Sequence, residues 1–88
     1  MSSDYDKLKI QLDEQEWPAV YLFKFIVPNK SDLVARATAL FDDGADLNYN
    51  TSKTGKYVSV SAKEMMLSSE AVIERYLQAG NIEGLIAL

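Results

Sequence analysis

Four stretches of the chain run apolar or alternate in the manner of strands, and two carry apolar residues at helical spacing. Residues 19–27, AVYLFKFIV, are rich in β-branched and aromatic types and predict a strand. Tyr21, Phe23, Phe25 and Val27 fall on one face of it; Val20, Leu22, Lys24 and Ile26 fall on the other. Both faces are largely apolar, which predicts a central strand, and Pro28 stops it. Leu33, Val34, Ala37, Leu40 and Phe41 form one stripe and predict a helix over 31–41. Asn29 or Ser31 is its expected cap and Gly44 its stop. Residues 45–51, ADLNYNT, alternate and predict an edge strand. Residues 56–63, KYVSVSAK, alternate again, and the turn through Gly55 makes the pair a hairpin. Residues 68–79 predict a second helix with Val72, Ile73, Tyr76 and Leu77 as its stripe, Ser68 or Ser69 as its cap and Gly80 as its stop. Residues 82–88, IEGLIAL, predict a last short strand.

The order is β–α–β–β–α–β, the ferredoxin-like α+β plan. Right-handed crossovers place both helices on one face of a four-stranded antiparallel sheet, with the first and third strands central. Trp17-Pro18 marks the start of this domain, because a residue before proline is pushed out of the helical region. The expected division is therefore a single domain over 17–88, preceded by a polar segment over 1–16. Within that segment Tyr5, Leu8 and Leu12 fall at helical spacing, which gives either a short peripheral helix or a frayed tail. The expected core is Phe23, Phe25, Val34, Leu40, Phe41, Val58, Val60, Ile73 and Leu77.

Composition narrows the chemistry more than the fold. A length of 88 residues allows one domain, and 48 % apolar with 25 % charged residues is ordinary globular usage. The chain has no histidine and no cysteine. That excludes within one chain Cys/His zinc sites, thiol nucleophiles, Ser-His-Asp triads and disulfides. Lys53, Gly55 and Lys56 sit in a hairpin turn rather than between a strand and a helix, so they are not a phosphate loop. Asp42, Asp43 and Asp46 lack the spacing of a calcium loop and read as a solvated helix end. No spacing selects a catalytic carboxylate pair. An enzyme is not expected, and no cofactor or metal is implied. A net charge of −4 argues against a general binder of nucleic acid or of anionic membrane. The first residues, MSSDYDKLK, lack the apolar stretch of a signal peptide, and no run approaches a membrane span, so the expected location is the cytoplasm.

Trp17-Pro18, then Tyr21, Phe23 and Lys24, then Ser52, Gly55, Tyr57, Ser59 and Val60 carry a resemblance. In this pattern the chain resembles the YbeD-like family of small uncharacterised bacterial proteins. The resemblance covers essentially everything after residue 16. It implies a ferredoxin-like fold similar to ACT-type regulatory domains, and it implies no reaction. Locally, residues 25–41 look like the first strand–turn–helix of ACT domains, where the turn often takes an amino-acid effector between subunits. Carried over, that selects Asn29, Lys30, Ser31 and Asp32 as ligand-binding residues. The glycine that lets the backbone approach such a ligand is missing, with Ser31 and Asp32 in its place.

The face turned away from the helices is the expected interaction surface. Leu22, Lys24 and Ile26 of the first strand stand there beside Tyr57 and Ser59, and an uncovered apolar patch marks a contact site. The expected function is a non-catalytic binding or regulatory module of ACT-like fold, acting through a protein partner, a weak homodimer or a small effector. The alternative is a small RNA-associated module using the same face, but Ser59 and Ser61 occupy positions where stacking rings belong. Residues 5–16 folding back over the face would be a competing, intramolecular cover.

Overall fold

The computed structural model describes residues 5–88; the first four residues of the expected polar segment lie outside them. The elements are α1 (Asp6–Asp13), β1 (Ala19–Pro28), α2 (Ser31–Thr38), β2 (Asp46–Thr51), β3 (Tyr57–Met66), α3 (Ser69–Ala79) and β4 (Ile86–Ala87). The four strands form one antiparallel sheet in the order β2-β3-β1-β4. This is the ferredoxin-like α+β arrangement. β1 is central as its two apolar faces require, and β3 pairs with it along its whole length, from Ala19↔Met66 to Pro28↔Tyr57.

The alternation of β1 decides where the core lies. Phe23, Phe25 and Val27 are fully buried, and with Val58, Val60, Ala62 and Met66 of β3 they form the floor on which the helices pack. Phe41, Leu33, Ala37, Val72, Tyr76 and Ala79 close it from above. Phe23, Phe25, Phe41 and Tyr76 make one aromatic knot, with ring centroids 5.6–5.9 Å apart in the pairs Phe23–Tyr76, Phe25–Phe41 and Phe25–Tyr76.

Several expectations need correction. The expected core reached one turn too far round α3: Leu77 is 48 % exposed, and Val34, Leu40 and Ile73 are only half-buried. The buried stripe of α3 keeps Val72 and Tyr76 of the expected set and adds Ser69 and Ala79. Helix α2 ends at Thr38, short of Phe41, and its cap is Lys30, which makes no side-chain bond; neither Asn29 nor Ser31 caps it. Ser68 does cap α3, its hydroxyl accepting from the Ala71 N–H at 3.1 Å. Gly80 follows α3 with φ −63°, so it is not a left-handed stop. The last strand is two residues long rather than seven. Ile82 turns into the core, and Gly84 at φ +78° interrupts any extended run. A Cβ there would lie 2.9 Å from the Pro28 ring, so the turn before β4 presses on the end of β1.

Residues 5–16 contain a third helix, α1, and it does not cover the outer face of the sheet. α1 packs in the helical layer against α3. Leu12 is buried in the common core, the Tyr5 ring stacks on Tyr76 at 6.1 Å, and Lys9 reaches Glu70 at 3.3 Å. The Trp17 indole N–H donates to the Leu12 carbonyl at 2.9 Å and ties the helix end to the start of β1. Eight residues are too few for a helix stable alone in water, so these contacts hold it.

Candidate functional site

With three helices on one side, no element among the described residues covers the other side of the sheet. Strand alternation turns Val20, Leu22, Lys24 and Ile26 of β1 to this side. The register lines them up in rows across the sheet: Val20 beside Met65, Leu22 beside Lys63, Lys24 beside Ser61, Ile26 beside Ser59. β2 continues the rows with Asp46, Asn48 and Asn50. On the far side Ile86 lies beside Ile26, and the Leu88 N–H donates to the Lys24 carbonyl at 2.9 Å. The five expected face residues, Leu22, Lys24, Ile26, Tyr57 and Ser59, are thus brought to one surface.

That surface has two halves. Over β1, β4 and the Met65 end of β3 it is apolar: Val20, Leu22, Met65, Ile86 and Leu88 are each between 53 and 64 % exposed. Over β2 and β3 it is polar, with amides from Asn48 and Asn50 and hydroxyls from Ser59 and Ser61. Lys24 stands on the boundary and makes no ion pair among the described residues. Two adjoining shallow hollows share Lys24, Asn50 and Ser59, one of about 340 Å³ reaching Ile26 and Tyr57, the other of about 400 Å³ reaching Leu22, Asn48 and Ser61. Tyr57 is the one ring on this face among the described residues. Met65 was missed as a face residue, whereas for residues 82–88 the sequence left two facings open, Leu85 with Ala87 or Ile82 with Ile86 and Leu88, of which Ile86 and Leu88 stand outward and Ile82 is buried. The period-2 phase running on past Lys63 would have found Met65, but Met65 and Met66 look like a break in alternation.

The second expected group lies together and exposed, Asn29 and Lys30 on the turn between β1 and α2 and Ser31 and Asp32 at the start of α2. The Asn29 side chain is already engaged. Its amide donates to the Gly55 carbonyl at 2.9 Å, and its backbone N–H donates to the Lys56 carbonyl at 2.8 Å. This fastens the turn to the tip of the β2–β3 hairpin.

Sequence reasoning did not find the most constrained charges. Glu64 sits on the core face of β3 and meets Arg75 of α3 in a two-pronged pair at 2.8 and 3.1 Å. The Arg75 guanidinium lies 5.3 Å from the ring centres of both Phe23 and Phe41. Hydrogen bonding from Arg75 holds the Glu64 carboxyl below the usual carboxylate range, against the opposing effect of burial. Beside this pair the Tyr21 and Tyr76 hydroxyls bond at 3.0 Å, and burial pushes the Tyr76 phenol well up. Tyr21 and Tyr76 line an open hollow of about 320 Å³ together with Tyr5, Leu8, Ala87 and Leu88. No cluster of three or more acidic, histidine or cysteine side chains suited to a metal exists among the described residues.

The fold is an open antiparallel sheet backed by helices, and the polar groups of its outer side are spread over a surface. Residues 13–86 match the family described as a protein of unknown function, DUF493, and the chain belongs to that family. No curated protein and no solved structure matches the chain. Among the described residues no helix is long and apolar enough to cross a membrane.

Proposed function

We propose that the protein is a non-catalytic regulatory module that works by association, with the bare face of its sheet as the contact surface and a second copy of the chain as the first partner. The observation that carries this is the apolar half of that face, left uncovered although a third helix was available to cover it. A surface of this kind favours burial at about 25 cal/mol per Å², offset by the cost of association, so the pairing is weak. The face also carries its own charge complement. A two-fold overlay brings a face holding Lys24 and Lys63 against one holding Asp46, and a partner acid offsets the desolvation of Lys24. The YbeD-like resemblance supports an ACT-like regulatory role in a bacterial cytoplasm, with the turn Asn29–Asp32 as the place where a small effector would be taken.

Sedimentation at rising concentration tests the reading. A monomer–dimer equilibrium with a dissociation constant of about 0.1–1 mM is expected, abolished by Leu22→Asp without loss of the folded state. A strict monomer to about 1 mM overturns it. Single-stranded nucleic acid is the weaker alternative, favoured only by Tyr57 beside Lys24. Binding of an oligonucleotide that falls steeply with salt would support that reading instead.

A further inference from the structure

The polar half of the outer face is a grid. Across β1, β3 and β2 one row holds Lys24, Ser61 and Asn48, and the next holds Ile26, Ser59 and Asn50. The two adjoining hollows of about 340 and 400 Å³ lie over these rows and share Lys24, Asn50 and Ser59. No residue of α1 or β4 lines either of them.

The chemistry of the hollows is one-sided. Neither is lined by an acid, although acids outnumber bases in the chain by 13 to 9. Lys24 brings one positive charge, with no carboxylate partner among the described residues. The Ser59 hydroxyl donates to the Asn50 carbonyl at 3.3 Å, which leaves the Asn48 and Asn50 amides and the Ser61 hydroxyl as open donors beside Lys24. One cation among neutral donors matches a monoanion better than a dianion, and donors from two strands suit the two oxygens of a carboxylate. The neighbouring hollow is more apolar in its lining, with half-buried Ile26 and the Tyr57 ring at 46 % exposure. An exposed ring beside an aliphatic side chain suits a flat apolar body. A second copy of the chain brings the same shallow surface and leaves such hollows unfilled, whereas a small molecule fills them.

We propose that the two hollows form one binding site for a small aromatic monocarboxylate. The carboxylate accepts from the Lys24 ammonium and from the Asn48 and Asn50 amides. The ring lies over Ile26 and against Tyr57. The site is complete within one chain and separate from the turn Asn29–Asp32, so it does not depend on the pairing proposed above.

Titration of the full chain with sodium phenylacetate, followed by two-dimensional amide NMR, tests this. At about 50 µM protein the chain is below the dissociation constant expected for pairing, so the result reads on the site whether or not the pairing stands. The side-chain amides of Asn48 and Asn50 and the backbone amides of Ser59 and Ser61 shift together and saturate by about 10 mM. Phenylacetamide, which lacks the charge, and acetate, which lacks the ring, each bind at least about tenfold more weakly. Lys24→Gln weakens phenylacetate binding at least about tenfold with the rest of the spectrum unchanged. Asn50→Asp, which sets a carboxylate beside Lys24, abolishes the binding, and Tyr57→Ala weakens it about threefold or more. Shifts that do not saturate, a Lys24→Gln chain that binds as the parent does, an equal response to acetate or phenylacetamide, or shifts gathered at Lys53 and Lys56 on the hairpin tip would overturn the proposal.

Discussion

Glu64 and Arg75 sit 7 and 11 % exposed between the sheet and α3, where an unpaired charge is costly. Arg75→Ala strands a buried carboxylate and is expected to destabilise the fold by ~3–5 kcal/mol, read from the denaturant midpoint. The folded-state pKa of Glu64 is depressed, so its contribution is fully present above its ordinary value of 4.5 and is lost as pH falls through the lower folded value. Stability should therefore decline below about pH 4.5, and Glu64→Gln should flatten that decline. An unchanged acid limb in the variant would show that the pair does not set it. Two glycines separate backbone strain from crowding. Gly55 has φ +76° with open space where a Cβ would stand, and Gly84 has φ +78° with the Pro28 ring at 2.9 Å. Gly55→Ala is expected to cost ~1–2 kcal/mol, from conformation alone. Gly84→Ala must cost more, because Pro28 has to move as well, and comparison of the two thermal midpoints checks the order. The positive φ at Gly55 was legible in the hairpin turn chemistry. The Glu64–Arg75 pair was not, although Glu64 is in phase with Val58, Val60 and Ala62: a charge on an apolar face reads as the end of a strand until its partner is seen.

Among the elements, those with strong periodicity were legible and those made by tertiary contacts were not. β1 was readable to its facing, although both its faces are largely apolar, because Phe23 and Phe25 fall on one face and Lys24 on the other. α1 was ambiguous, since its pattern is weak and Leu12, its buried residue, is fixed by α3 and Trp17. β4 was over-read, since IEGLIAL has strand composition but Gly84 breaks it and Ile82 belongs to the core. These readings give an expected contrast within α1. Leu12→Ala is expected to cost ~2–5 kcal/mol. Ile10→Ala, at a position 63 % exposed, should stay within about 0.5 kcal/mol. Equal effects in chemical denaturation would mean that α1 is not docked as described.

For the whole molecule the order of elements was enough to set the sheet, because short connections and right-handed crossovers leave few alternatives. The contact face followed only in part. Its centre came from β1, whereas its rim on Met65, Ile86 and Leu88 depended on where β3 and β4 end. The register of that sheet also has a consequence in time. β2 and β3 are joined by a tight turn, Thr51↔Val58 being their nearest rung. The partners of β1 lie far along the chain, from Pro28↔Tyr57 to Ala19↔Met66, and β4 returns to Phe25 from Ala87. Loop-closure entropy orders such events, with local pairs forming first and distant ones last. The hairpin is expected to be the folding nucleus and the β4 end to be zipped after the barrier. In stopped-flow measurements Gly55→Val should then act mainly by slowing folding, and Ile82→Val mainly by speeding unfolding. The reverse assignment of the two rates would place the nucleus at β4.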